Sequence, residues 1–260
     1  MPSGTSGNMS YTTIPDFRSS YQPPNPPTLE SGAGAYYYKY SFSWAIKSAS
    51  TGILLKDAQM KLDSVKKNNA YIFMSCIGTA STPPEFGIIS GWEDKGSWFL
   101  YTRASGGDVS KKAKVIEPDS ATPSNGIYTY KNSVFTNIRI YVSGDSIKGE
   151  VRRGPSHSLV ASAIVSGVGT NIGTSCTFLL GVSYCPNPAT TSPGPRNAYL
   201  KHVYLQDGFL YSEPNYSGNS TLWEPDKDNQ ATYYSLLCRT NYVTYNRFGI
   251  TEEEISIDYN

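Results

Sequence analysis

The sequence predicts an all-β chain: an antiparallel β-sandwich of jelly-roll type, preceded by an extended proline-rich arm. Three observations predict it. Tyr36, Tyr38, Tyr40, Phe42, Trp44 and Ile46 fall at every second position, with Tyr37, Lys39, Ser41, Ser43 and Lys47 between them. That period belongs to a strand with one buried face and one wetter face. Short apolar runs then recur between Gly, Asp and Asn turns, and almost nothing follows a helical period. Finally, tyrosine is abundant, 21 residues against 9 Phe and 4 Trp; its ring packs while its hydroxyl stays wet, which suits half-buried strands and recognition surfaces alike.

Residues 1–35 read as the arm. Pro15, Pro23, Pro24, Pro26 and Pro27, with Gly32 and Gly34, leave no period, so the segment is expected to be extended and to dock on the body or on a neighbouring subunit. Residues 36–260 then form one sandwich domain. After the long first strand, Ala58, Met60 and Leu62 alternate with Asp57, Gln59, Lys61 and Asp63. A strand is preferred there, although Ala58, Leu62 and Val65 also suit a short helix. Tyr71–Ile77 is apolar on both faces, as a central strand is.

Phe86–Trp92 and Ser97–Arg103 flank the turn Glu93-Asp94-Lys95-Gly96 and make a hairpin. A second hairpin turns at Gly144-Asp145. Counting outward from it pairs Val142 with Ile147, Ile140 with Gly149 and Ile138 with Val151 on one apolar face. Tyr141 then meets Lys148, and Arg139 meets Glu150 as an opposite-charge pair. Thr177–Tyr184 is a further strand, and Pro186–Pro195 a loop. Tyr199–Leu205 returns as a strand to a third hairpin signal, Asp207-Gly208. Thr232–Tyr245 carries strand formers without a clear register. Thr251 and Glu254 could form a capping box, but Ile255, Ile257 and Tyr259 alternate with Ser256 and Asp258, so a closing strand is expected.

The 22 Lys+Arg and 21 Asp+Glu residues give a net charge of +1, with no block of either sign. This argues against a nucleic-acid binder and against a polybasic membrane anchor. No run of 18 apolar residues exists, so no membrane insertion is expected. Residues 1–7 show no signal peptide. Cys76, Cys176, Cys185 and Cys238 match neither a CxxC pair nor a zinc spacing; buried thiols and one or two disulfides both remain open. Asn8, Asn215 and Asn219 begin N-x-S/T triplets, which matter only in a secretory pathway.

The order of the pieces resembles the concanavalin A-like, laminin-G-like sandwich of lectins and glucanases. The resemblance rests on the strand 40–47, the hairpin 136–145, the Gly-ended strand 178–181 and the segment 198–208, and spans residues 36–212. Residues 213–260 would be a C-terminal addition with the closing strand. The resemblance implies two antiparallel sheets packed face to face, and relatives that bind glycans or proteins, a minority of them hydrolysing polysaccharides.

Chemistry of the glucanase kind needs paired carboxylates on one strand face. The nearest string, Glu224-Pro225-Asp226-Lys227-Asp228, reads as a polar loop; Glu252-Glu253-Glu254 reads as a solvated run, and Glu93-Asp94 as a turn. With only His157 and His202 there is no transition-metal set, and His202 reads as a structural histidine. Calcium is the ion left open, with Asp226, Asp228 and Asn229 as hard-oxygen candidates; no other cofactor is expected. The expectation is therefore a non-catalytic structural or attachment module of a virion or extracellular assembly, oligomeric through its arm, and not an enzyme. The alternative is a glycan-binding lectin module stacking sugars on Trp92, Trp98, Tyr101 or Trp223, with a polysaccharide hydrolase third.

Overall fold

The computed structural model describes residues 35–41, 46–63, 68–77, 83–104, 107–122, 125–131, 135–166, 177–185, 198–223, 233–238, 242–248 and 252–259. Within them, strands numbered in chain order build two antiparallel sheets. The seven-stranded sheet runs Tyr233–Cys238 (β16), Ala35–Ser41 (β1), Thr177–Cys185 (β13), Asn69–Ile77 (β4), Glu85–Gly91 (β5), Trp98–Arg103 (β6) and Val109–Ile116 (β7). The eleven-stranded sheet runs Ser158–Ser166 (β12), Ser146–Arg153 (β11), Thr136–Ser143 (β10), Ser48–Leu54 (β2), Tyr199–Glu213 (β14), Ala58–Lys61 (β3), Ile127–Tyr130 (β9) and Ser120–Thr122 (β8). Ser217–Leu222 (β15) and Glu253–Asp258 (β18) also pair with β14, and Val243–Arg247 (β17) pairs with β18.

Alternation supplies one apolar face per sheet, and the two faces meet. Tyr37, Ile72, Met74, Phe86 and Leu180 of the first sheet join one core with Ile53, Ile138, Ile140, Val203 and Ile255 of the second. The all-β sandwich is as expected, as are β3, the β5–β6 hairpin and the closing strand β18. The β10–β11 register matches the count from Gly144-Asp145 at every pair. One charge pair in that hairpin does not form: Glu150 accepts from Arg152 Nε at 2.8 Å, while Arg139 Nε donates to Asn137 Oδ1 at 2.6 Å. Arg152 lies two residues along the same strand face, so it competes for Glu150 without crossing to another strand.

The first strand departs most from expectation. Among the described residues β1 ends at Ser41, and β2 begins at Ser48 in the other sheet; Trp44 lies outside the described residues. The faces are also reversed. Ala35 and Tyr37 point into the core between the sheets, whereas Tyr38 and Tyr40 belong to a second cluster on the opposite face. Lys39 shares the core side and is 1% exposed. Its Nζ lies 2.5 Å from Glu253 Oε1 of β18 and 3.1 Å from the Trp223 carbonyl, and the Tyr37 hydroxyl donates to the same carboxylate. An ion pair with both partners hydrogen-bonded is what lets a lysine sit there. Glu253 is therefore not part of a solvated run.

The Asp207-Gly208 signal is not a hairpin either. β14 runs straight through it, and the register shifts between Gln206 and Phe209, with Asp207 at φ 49°. The turn residues make a bulge. Cys76 is disulfide-bonded and Cys185 is a buried free thiol. The proline-rich arm before Ala35 and the loop 186–195 lie outside the described residues. Among the described residues no helix is long and apolar enough to cross a membrane.

Candidate active site

The outer face of the seven-stranded sheet, turned away from the second sheet, carries a set of mutually interacting ionisable groups, among them Tyr38, Tyr71, Glu85, Tyr101 and Arg103. Strand pairing places Tyr38, Gly181, Phe73, Gly87 and Tyr101 in one row across β1, β13, β4, β5 and β6. Aromatic and glycine alternate along that row for a steric reason. A Cβ on Gly181 would meet the Phe73 ring at 2.6 Å and the Tyr38 ring at 2.9 Å, so the missing side chain lets the rings lie over the backbone. Tyr36 stacks on Tyr38 at 5.3 Å, and Tyr71 meets Tyr101 edge-on at 5.5 Å.

The neighbouring row is Tyr40, Leu179, Ser75, Glu85 and Arg103. Glu85 is the first residue of β5, and the Ser75 hydroxyl donates to the Pro84 carbonyl at 2.6 Å, pinning that strand end to β4. Tyr101 donates its hydroxyl to Glu85 Oε2 at 2.9 Å, and an Arg103 Nη donates to Oε1. The Glu85 side chain is 11% exposed and that of Arg103 35%. Burial raises the Glu85 carboxyl above its ordinary value, although Arg103 and the Tyr101 hydrogen bond pull the other way. Burial, then the charge of Glu85, pushes the Tyr101 phenol well up.

At the far side of the same face, Asn69 Nδ2 donates to the Tyr71 hydroxyl at 3.3 Å and Cys185 Sγ lies 3.2 Å from the Tyr36 hydroxyl. Burial pushes the Cys185 thiol up to about 11, so it stays protonated and is no nucleophile. The chemistry available on this face is proton transfer at Glu85. A desolvated carboxyl with an elevated pKa, still reachable from solvent and flanked by fixed donors, has the properties of a general acid–base group.

Of the residues singled out from sequence, Tyr101 lies in this site, but it is fully buried and serves Glu85 rather than a stacked ring. Trp98 points to the other side of β6, into the inter-sheet core, with 0% exposure. Trp223 is equally buried; its indole donates to the Tyr40 carbonyl at 3.3 Å, and Lys39 Nζ stands 5.5 Å from its ring centre. Neither tryptophan offers a face to a sugar. Trp92 is half-buried in the turn before β6, packed on the core. Glu224, Asp226, Asp228 and Asn229 lie outside the described residues. Asp94 accepts from the Gly91 amide at 2.7 Å and pairs with Lys111, a turn role. Glu254 is buried and bonds His202 Nδ1, so it too leaves the solvated run.

Glu85, Arg103, Tyr71 and Asn69 were not singled out from sequence. A signal for the first two existed. Counting outward from a turn of Trp92–Gly96, one residue longer than the Glu93–Gly96 turn expected, sets Glu85 opposite Arg103 with Tyr101 two residues along, an acid and a base at the same depth of a hairpin whose strands are otherwise uncharged.

No family model and no curated protein matches the chain. Solved structures do. Scytalido-glutamic peptidase bound to a transition-state analogue inhibitor matches over 86% of this chain and 98% of its own, at 11% identity and a TM-score of 0.50. A second structure of that peptidase, with a peptide-based transition-state analogue, covers the same shares at 9% identity and a TM-score of 0.50. A Bacillus licheniformis β-glucanase is similar over 56% of this chain at a TM-score of 0.27, too loose a likeness to weigh. At these identities the likeness establishes the fold alone. Two expectations, a non-catalytic attachment module and a chain that is not an enzyme, are overturned by that match, since the solved structures that share this fold over 86% of the chain are peptidases.

Proposed function

We propose that the chain is a hydrolase of peptide bonds whose acid–base group is Glu85. The observation that carries this reading is a single carboxyl, desolvated and raised, yet 11% exposed on an aromatic sheet face between a phenol and a guanidinium. In the proposed reaction the Glu85 carboxylate takes a proton from water as that water attacks the substrate carbonyl. Negative charge then grows on the carbonyl oxygen, where the Arg103 guanidinium is the nearest cationic donor. Glu85 returns the proton to the departing amine. Burial helps because a carboxylate of higher pKa is a stronger base. The end-to-end likeness in fold to proteins named glutamic peptidases supports the choice of substrate class. The Cys76 disulfide supports an oxidising compartment as the place of work.

The test is release of labelled peptides from denatured casein by wild-type protein and Glu85→Gln, over a range from strongly acidic to neutral pH. Wild type is expected to cleave, with kcat/KM rising through a pKa above the ordinary carboxylate value, and Glu85→Gln to lose turnover while keeping its thermal transition. Cleavage of a mixed-linkage β-glucan with casein untouched would move the chain to the glucanase class. Equal cleavage by Glu85→Gln would remove Glu85 from the reaction.

A further inference from the structure

The eleven-stranded sheet has an outer face of its own, and on it lies an arginine, Arg139, with no carboxylate in ion-pair reach among the described residues. Arg139 points outward because Ile138 and Ile140, on either side of it, take the core. Its Nε donates to Asn137 Oδ1 at 2.6 Å, one Nη lies 3.2 Å from His157 Nδ1, and its guanidinium carbon stands 5.1 Å from the Tyr216 ring centre. None of these partners is a carboxylate. Glu150, directly across from Arg139, serves Arg152 instead. The guanidinium is thus held in one orientation by an amide, an imidazole and a ring, and among the described residues no carboxylate pairs with its charge.

Tyr216 is placed there by a strained turn. Asn215 and Tyr216 both adopt left-handed backbone, φ 62° and 63°, a conformation that side-chain-bearing residues keep only where surroundings impose it. The Tyr216 amide donates to Ser48 Oγ at 3.3 Å, and Tyr141 and Tyr211 each meet its ring edge-on at 6.0 Å. Its hydroxyl is buried with no hydrogen-bond partner. Lys148, over the Tyr141 ring at 5.5 Å, and Arg152 add positive charge, and Glu150 is already engaged by Arg152.

We propose that this face is a second binding site, which takes one oxyanion group of a ligand, carboxylate or phosphate, on the guanidinium of Arg139 with the Tyr216 hydroxyl as a further donor. A planar fork that is already ordered loses little freedom on meeting such a group, and it presents parallel donors to two oxygens. The site is independent of the Glu85 face, so either reading stands or falls without the other.

The probes are inorganic phosphate and, separately, acetate, each titrated against the backbone amide resonances of the full chain, with ionic strength held constant by chloride. The expected result is a saturable shift of amides around positions 139 and 216, absent in Arg139→Gln. Arg139→Lys, which keeps the charge, should weaken binding by about tenfold or more through loss of a charge-assisted bond, and Tyr216→Phe by a few-fold. A response to phosphate alone assigns the ligand to phosphate esters, and a response to both extends it to carboxylates. Non-saturating shifts equal to those with chloride, or unchanged titration in Arg139→Lys and Tyr216→Phe, would overturn the proposal; those two variants carry the test should Arg139→Gln fail to fold.

Discussion

Glu85 and Glu253 show how one residue type takes opposite roles in neighbouring layers. Glu85 keeps a path to solvent, and burial raises it. Between the ordinary carboxylate pKa and this raised one, the native state binds more protons than the unfolded chain. Glu85 therefore lends stability below the ordinary value and withdraws it as pH climbs through the raised value. Urea unfolding of wild type at a series of pH values should show stability falling across that window, and Glu85→Gln should flatten the fall. Glu253, by contrast, is sealed between the sheets with Lys39, at 0% and 1% side-chain exposure. Lys39→Met strands a buried carboxylate and should cost about 3–5 kcal/mol, whereas Lys39→Met with Glu253→Leu should recover much of that loss. Denaturant midpoints of the three proteins decide it; a fully destabilised double variant would mean that packing, not charge, is at stake.

At the scale of elements, strands are placed by what crosses between them. Gly149 of β11 faces β5 of the other sheet, and a Cβ there would stand 2.2 Å from the Phe86 ring. Gly149→Ala must push the sheets apart or turn that ring, so a loss of about 1–3 kcal/mol is expected, read as a lower thermal midpoint. An unchanged midpoint would show that the sheets yield freely at this contact. The β10–β11 hairpin was legible residue by residue because its partners are close in sequence and a one-residue slip would bury Lys148 and Arg139. The β1 faces are not legible for the converse reason. Nothing local says that Lys39 meets an acid 214 residues away, so the alternation by itself makes the charged side the wet one.

The described residues form two sheets sharing one core, with aromatic-rich outer faces that differ in chemistry: a desolvated carboxyl, Glu85, paired with Arg103 on the seven-stranded side, and Arg139 bonded to an amide and an imidazole on the eleven-stranded side. The Cys76 disulfide adds a covalent restraint. Reducing agent should lower stability by about 2–4 kcal/mol, measured by denaturant unfolding with and without reductant. Cys185, buried and with its thiol pushed up to about 11, should resist iodoacetamide in the native protein and react once the protein is unfolded; fast native labelling would mean that the tyrosine face opens.

By itself the sequence determined the all-β class, the β5–β6 and β10–β11 hairpins and the closing strand, because period and turn chemistry are local properties; at β3 it favoured a strand but left a short helix open. Only the tertiary structure decided which side of β1 is interior, that Asp207-Gly208 bends a continuous strand, and that Glu85, Tyr101, Tyr71 and Tyr38 share one surface. Those outcomes depend on pairings between distant segments, where burial and neutralisation are settled by a partner that no stretch of sequence announces.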